Sequence, residues 1–256
     1  MWGIGVRALL IGLGSIGLGL AIGVPGGASL AQEAIKPATG LYVRGEAGYF
    51  WSRPAGIGDR TAWTGSTCVI CTGGDLDNIG NGGMVGGGLG WRFNDWLRAE
   101  ATVTWRGGLQ LKDSDGSGYS YRADVRSTAG MVSLLVDAPW RLGPIQPFAG
   151  AGIGVAHNTV GAITQTSSLG GLPVTENDPG GSHTGFAWSA TAGLAWPITA
   201  NLTAELAYRY IDLGKLRTSA GNSQFSVGTA SIVIPTGGVE GNLRGQEALL
   251  ALRWSF

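Results

Sequence analysis

The feature that most constrains this chain is a period of two. Over residues 97–105, Leu97, Ala99, Ala101, Val103 and Trp105 alternate with Arg98, Glu100, Thr102 and Thr104. Successive side chains of a β-strand point to opposite faces, so one strand carries a wholly apolar face and a charged one. Seven other segments repeat the pattern. Leu41, Val43, Ala47 and Tyr49 oppose Tyr42, Arg44 and Glu46, and Val85, Leu89, Trp91 and Phe93 oppose Gly86, Gly88, Gly90 and Arg92. Phe186, Trp188, Ala190, Ala192, Leu194 and Trp196 form another apolar set, and Leu202, Ala204, Leu206, Tyr208 and Tyr210 oppose Thr203, Glu205, Ala207 and Arg209. Ala248, Leu250, Leu252, Trp254 and Phe256 oppose Glu247, Leu249, Ala251, Arg253 and Ser255. In residues 146–156, Ala149, Ala151, Ile153 and Val155 face one way and Gly150, Gly152 and Gly154 the other. Between 122 and 140, Val132, Leu134, Val136 and Trp140 are the apolar face, but Asp124 and Arg126 share their parity. Either that strand runs past the apolar layer or a bulge shifts its register.

The connections alternate in length. Short ones lie at 94–95, 141–145 and 197–200; long ones, rich in Gly, Ser, Thr, Asn and Asp, lie at 52–81, 107–121, 157–184 and 213–244. Large aromatics on the apolar face sort to the strand ends. Trp91, Phe93, Trp140, Trp196, Trp254 and Phe256 lie by short turns or the C-terminus, and Tyr49, Trp105, Phe186, Trp188, Tyr208 and Tyr210 by long loops. A soluble sandwich has no reason to sort them so, whereas Trp and Tyr prefer the two membrane–water boundaries. Eight steps of about 3.4 Å, tilted by about 40°, rise roughly 21 Å, close to the apolar band of an outer-membrane barrel. The pattern therefore predicts an all-β fold: an eight-stranded antiparallel up-and-down transmembrane β-barrel with short periplasmic turns and long extracellular loops, in the bacterial outer membrane.

The N-terminus fits export. Arg7 precedes an apolar run over 8–24, Pro25 and Gly26 break it, and Ser29-Leu30-Ala31 offers small residues before Gln32. Residues 1–31 read as a cleavable signal peptide and 32–256 as the barrel domain. Lys+Arg and Asp+Glu are both 17, with no basic block, which argues against nucleic acid as a partner.

Three segments carry a family resemblance: Glu205-Leu206-Ala207-Tyr208-Arg209-Tyr210-Ile211-Asp212-Leu213-Gly214, Pro147-Phe148-Ala149-Gly150-Ala151-Gly152-Ile153-Gly154, and Leu250-Ala251-Leu252-Arg253-Trp254-Ser255-Phe256. With them, residues 40–256 resemble the small opacity-like, porin-like eight-stranded outer-membrane β-barrels. The resemblance implies a surface protein whose loops differ from relative to relative. It also implies that Leu250, Leu252, Trp254 and Phe256 form the C-terminal strand read by the barrel insertion machinery. The partners to expect are outer-membrane lipid and lipopolysaccharide, that machinery, and an unidentified surface ligand.

By parity Arg44, Glu46, Arg92, Arg98, Glu100, Arg106, Asp137, Glu205, Arg209, Glu247 and Arg253 point into the lumen. Inward charges must pair, so the first reading is an ion-pair network that plugs the barrel. The alternative is a narrow porin-like path for small solutes or ions. Cys68 and Cys71 in the first long loop read as a local disulfide, given export. Asp75, Asp77, Asn78, Asp113 and Asp115 do not fit the spacing of a calcium loop, and no metal or cofactor is expected. His157 near the outer rim, with Thr159 or Ser189, offers a third reading as a lipid-modifying enzyme, but no spacing signature supports it. The expected role is structural and interactive, without catalysis.

Overall fold

A computed structural model describes residues 39–53, 58–59, 79–114, 120–169 and 171–256. The strands are β1 (Gly40–Ser52), β2 (Gly58–Asp59), β3 (Asn81–Arg92), β4 (Leu97–Ser114), β5 (Ser120–Asp137), β6 (Gln146–Val160), β7 (Ile163–Leu169), β8 (Leu172–Asp178), β9 (Gly181–Pro197), β10 (Leu202–Arg217), β11 (Gly221–Val227), β12 (Ala230–Thr236) and β13 (Val239–Ser255). Eight of them, β1, β3, β4, β5, β6, β9, β10 and β13, each pair antiparallel with the next. The ring closes where β13 meets β1, with Val43 opposite Trp254 and Ala47 opposite Leu250. Closure follows from the apolar outer face: within hydrocarbon no backbone group can turn to water, so a sheet survives there only without an edge.

The pleat decides which residues meet lipid. Along β13, Leu249 is 1% exposed and Leu250 is 65%. Val103, Val132, Leu134, Ile153, Leu206 and Leu252 all lie on the outside, and Trp91, Trp196 and Trp254 flank them toward the short turns. In β5 the parity never breaks: Arg122, Asp124 and Arg126 are exposed on the same side as Val132 and Leu134. The strand therefore runs past the apolar layer, and β5 has no bulge of its own.

Register shifts lie instead in its neighbour β4, between Arg106 and Leu109, and in β10, between Asp212 and Lys215. Each shift contains a left-handed glycine, Gly108 at φ 77° and Gly214 at φ 75°. A one-residue slip exchanges the faces, so beyond these points Leu109, Leu111 and Leu216 turn inward.

Barrel strands β4 and β5 occupy most of the expected loop 107–121, and two more of the long loops differ from the irregular connections that their composition suggested. Barrel strands extend into them, and the remainder folds into the hairpins β7–β8 and β11–β12. Gly171 and Gly228, both at positive φ, sit in the hairpin turns. β7 pairs with β5 and β8 with β11, so β5, β7, β8, β11 and β12 form one ribbon rising from the wall.

Inside, glycines make room for aromatic rings. A Cβ on Gly90 would lie 2.1 Å from the Tyr42 ring, one on Gly193 2.6 Å from Phe148, and one on Gly245 2.4 Å from Phe50. Tyr42 and Gly90 are direct cross-strand partners, as are Phe148 and Gly193. Replacing Gly90 by valine must therefore expel Tyr42 from its contact with Glu100. A loss of about 1–3 kcal/mol is expected, the range for overpacking, read as a lower urea midpoint at unchanged slope. An unchanged midpoint would show that the ring can move aside without cost.

Candidate functional site

All eleven charged residues singled out by parity are buried in the lumen. They come from six of the eight barrel strands, β1, β3, β4, β5, β10 and β13, because every second residue of each strand points to the axis. Glu205 is the centre of the lower part, nearest the short turns. It accepts from Arg44 and from Arg98, whose Nη1 lies 2.8 Å away, and Arg253 Nη1 is 3.0 Å from the same carboxylate. Arg98 Nη1 also donates to Glu100 at 2.8 Å, and Tyr42 Oη donates to that same Glu100 oxygen at 2.8 Å. Arg92 and Arg98 both face Asp137. Arg98 packs its guanidinium over Phe148 at 4.6 Å, and Arg253 lies over Tyr42 at 5.1 Å.

The upper part is a second set. Arg209 contacts both oxygens of Glu46, at 3.0 and 3.1 Å, and approaches Glu247 at 3.3 Å. Arg106 donates to Glu247 at 2.6 Å and to Thr104 Oγ1 at 2.8 Å. Arg44 joins the two sets, with Nε 3.1 Å from Glu46. Paired arginine and carboxylate side chains thus cross the lumen from wall to wall.

Above the charges, toward the long loops, the lumen turns apolar. Phe50, Ile79, Leu109, Leu111, Val125, Ile211, Leu213 and Leu243 are buried together there. Parity alone did not reveal this cluster as a second layer. Ile211 could have signalled it, since it shares the inward parity of Arg209, but Leu109 and Leu111 lie beyond the shift at Gly108. A cavity of about 20 Å³ remains between Leu111, Val125, Val160, Ile163, Leu216 and Val239. That is room for about one water molecule.

The outer ribbon presents a different surface. Ile232 and Val233 on β12 are 60% and 62% exposed, and Leu172 at the tip of the β7–β8 hairpin is 55% exposed. Ion pairs brace its base: Arg217 Nε lies 2.8 Å from Glu240, with Lys215 on the same carboxylate, and Arg244 Nε is 2.9 Å from Asp212.

The other singled-out residues fall as follows. Cys68, Cys71, Asp75, Asp77, Asn78 and Asp115 lie outside the described residues, as does the side chain of Asp113. His157 is on the outer face of β6, its Nδ1 2.8 Å from Thr184 Oγ1. Thr159 shares that face, but Ser189 is buried on the lumen side, so the wall separates it from His157. Leu250, Leu252, Trp254 and Phe256 line the lipid face of β13, where that strand seals against β1 and β10.

Comparison with known proteins agrees with this architecture. The family described as outer membrane protein beta-barrel domain matches residues 18–232. The outer membrane protein PagN of Salmonella typhimurium is 28% identical over 193 residues, covering 70% of this chain and 77% of PagN. A Rickettsia conorii protein named as a candidate adhesin, RC1281, is 29% identical over 149 residues, covering 56% of this chain and 57% of the relative. Among solved structures, the outer membrane protein OprG of Pseudomonas aeruginosa superposes with a TM-score of 0.50 at 13% identity, over 87% of this chain and 99% of OprG.

Proposed function

Because this chain belongs to the outer membrane protein beta-barrel domain family and resides in the bacterial outer membrane, we propose that it is a closed anchor for its outer ribbon, with no catalytic role. The barrel holds the ribbon at the cell surface, and the ribbon contacts a surface ligand.

The observation that carries this reading is the lumen itself. Six arginines and five carboxylates are buried and in ion contact across it, and an apolar layer caps them. A wide aqueous channel needs more strands than eight, whose interior is just wide enough for its own side chains to fill. With the bore occupied, the part left to act is the ribbon, with Leu172, Ile232 and Val233 turned outward. Likeness to a relative named as a candidate adhesin supports the same division of labour. Lipid and lipopolysaccharide surround the apolar wall, and the insertion machinery is the partner that reads β13.

Orientation tests the proposal. A protease site in the β11–β12 turn, at Gly228-Thr229, is expected to be cut on intact cells, whereas one at Asn94-Asp95 is expected to be cut only after the outer membrane is opened. Reversed accessibility would put the ribbon in the periplasm and end the surface-anchor reading.

A further inference from the structure

We propose that the floor of the lumen is a binding site for one small monovalent anion, held by Arg253 with Arg98 beside it. Among the described residues the buried network contains six arginines against five acids, an excess of one positive charge. The upper set is balanced, Arg106 and Arg209 against Glu46 and Glu247. The excess therefore lies on the floor, where Arg44, Arg92, Arg98 and Arg253 face Glu100, Asp137 and Glu205.

Most of the unbonded donors lie at the same place, with Arg106 Nη2 a further one in the upper set. Arg253 is 1% exposed, yet none of its Nε, Nη1 and Nη2 makes a hydrogen bond among the described residues. Its 3.0 Å approach to Glu205 is a charge contact only, since the N–H does not point at that oxygen. Arg98, fully buried, leaves its Nη2 unbonded as well, and its Nε has only a 3.3 Å charge contact with Asp137. A buried charged donor without an acceptor carries its full desolvation penalty. An anion between these two guanidinium groups removes both the unpaired charge and the unpaired donors.

The chemistry also selects the anion. One net charge calls for a monovalent ion. Guanidinium is weakly hydrated and matches ions that shed water readily, so chloride, bromide or nitrate fit and strongly hydrated divalent sulfate does not. Arg253 sits three residues from Phe256, at the short-turn end, so entry is from that mouth.

The test uses the purified, folded full-length barrel in detergent. At constant ionic strength, exchanging sulfate for chloride is expected to raise the unfolding midpoint by several degrees and to saturate, as ligand binding to the folded state requires. The chloride-35 NMR line should broaden with the protein present and sharpen when bromide competes. Thr203 is the cross-strand partner of Arg253 and is buried on the same face. Thr203→Asp, nearly isosteric, supplies a tethered carboxylate and should abolish both chloride responses while the barrel still folds. Arg126→Gln, at an exposed position far up β5, should leave them unchanged. Equal midpoints in chloride and sulfate, or a chloride line that bromide does not sharpen, would overturn the site and leave water as the partner of Arg253. Chloride responses that persist in Thr203→Asp would overturn the placement at Arg253.

Discussion

Replacing Glu205 with alanine is expected to destabilise the barrel by about 3–5 kcal/mol, the cost of removing one partner from a buried ion pair. Glu205 is fully buried and faces three arginines, Arg44, Arg98 and Arg253. Without it the floor would hold four arginines against Glu100 and Asp137 alone. Glu205→Gln keeps the shape and removes only the charge, so it should lose most of the same amount. Glu100→Ala, which strips Tyr42 and Arg98 of an acceptor, should cost about 3 kcal/mol on the same grounds. The control is Glu240→Ala, whose partners Lys215 and Arg217 are partly exposed, where a change within about 1 kcal/mol is expected. Urea midpoints read by heat-modifiable migration give all four values. If Glu205→Ala and Glu240→Ala behaved alike, the lumen would be wet enough to screen its charges.

Deleting residues 254–256 should have the largest effect on assembly. The cut removes Trp254, paired with Val43 on one side and Leu202 on the other. It also removes the bonds from Phe256 N to the Leu41 carbonyl at 3.2 Å and from Asn201 Nδ2 to the Ser255 carbonyl at 2.8 Å. The rims of β1 and β10 would then carry unpaired backbone groups beside lipid, at several kcal/mol each. Two boundary aromatics go with them. Expected is a chain that is exported and cleaved before Gln32, then mostly degraded in the periplasm. Phe256→Ala alone should give an intermediate loss if that residue is read by the insertion machinery, and a mild one if it is only an interface anchor. Normal amounts of the truncated chain in the outer-membrane fraction, still heat-modifiable, would contradict the assembly role of β13.

The barrel was legible because lipid and lumen impose opposite demands on alternate residues. Leu97 to Trp105 could have no other regular structure, and the eight strand positions followed. The same rule placed Arg98, Glu205 and Arg253 on one surface. It could not say which arginine meets which carboxylate, since partners such as Glu46 and Arg209 are 163 residues apart in sequence and meet only after closure. The parity of β4 and β10 holds up to Gly108 and Gly214 and then inverts, which hid Leu109, Leu111 and Leu216 as lumen residues. A glycine in an alternating run is compatible with a straight strand or a bulge, so the sequence alone does not choose. The outer hairpins were hidden for a related reason. Their Gly, Ser and Thr content suits loops, whereas Ala230–Thr236 contains the β-formers Ile232, Val233 and Ile234 and finds its partner in β11.

The central claim is that the bore is closed by its own side chains. Planar-bilayer recording of the purified, refolded barrel tests it most directly. The account predicts a flat current at moderate voltage, with no unitary steps from the unaltered protein, and steps only when the network is cut, as in Glu205→Ala. Regular conductance steps from the unaltered barrel, unchanged in Glu205→Ala, would contradict it and establish a pore.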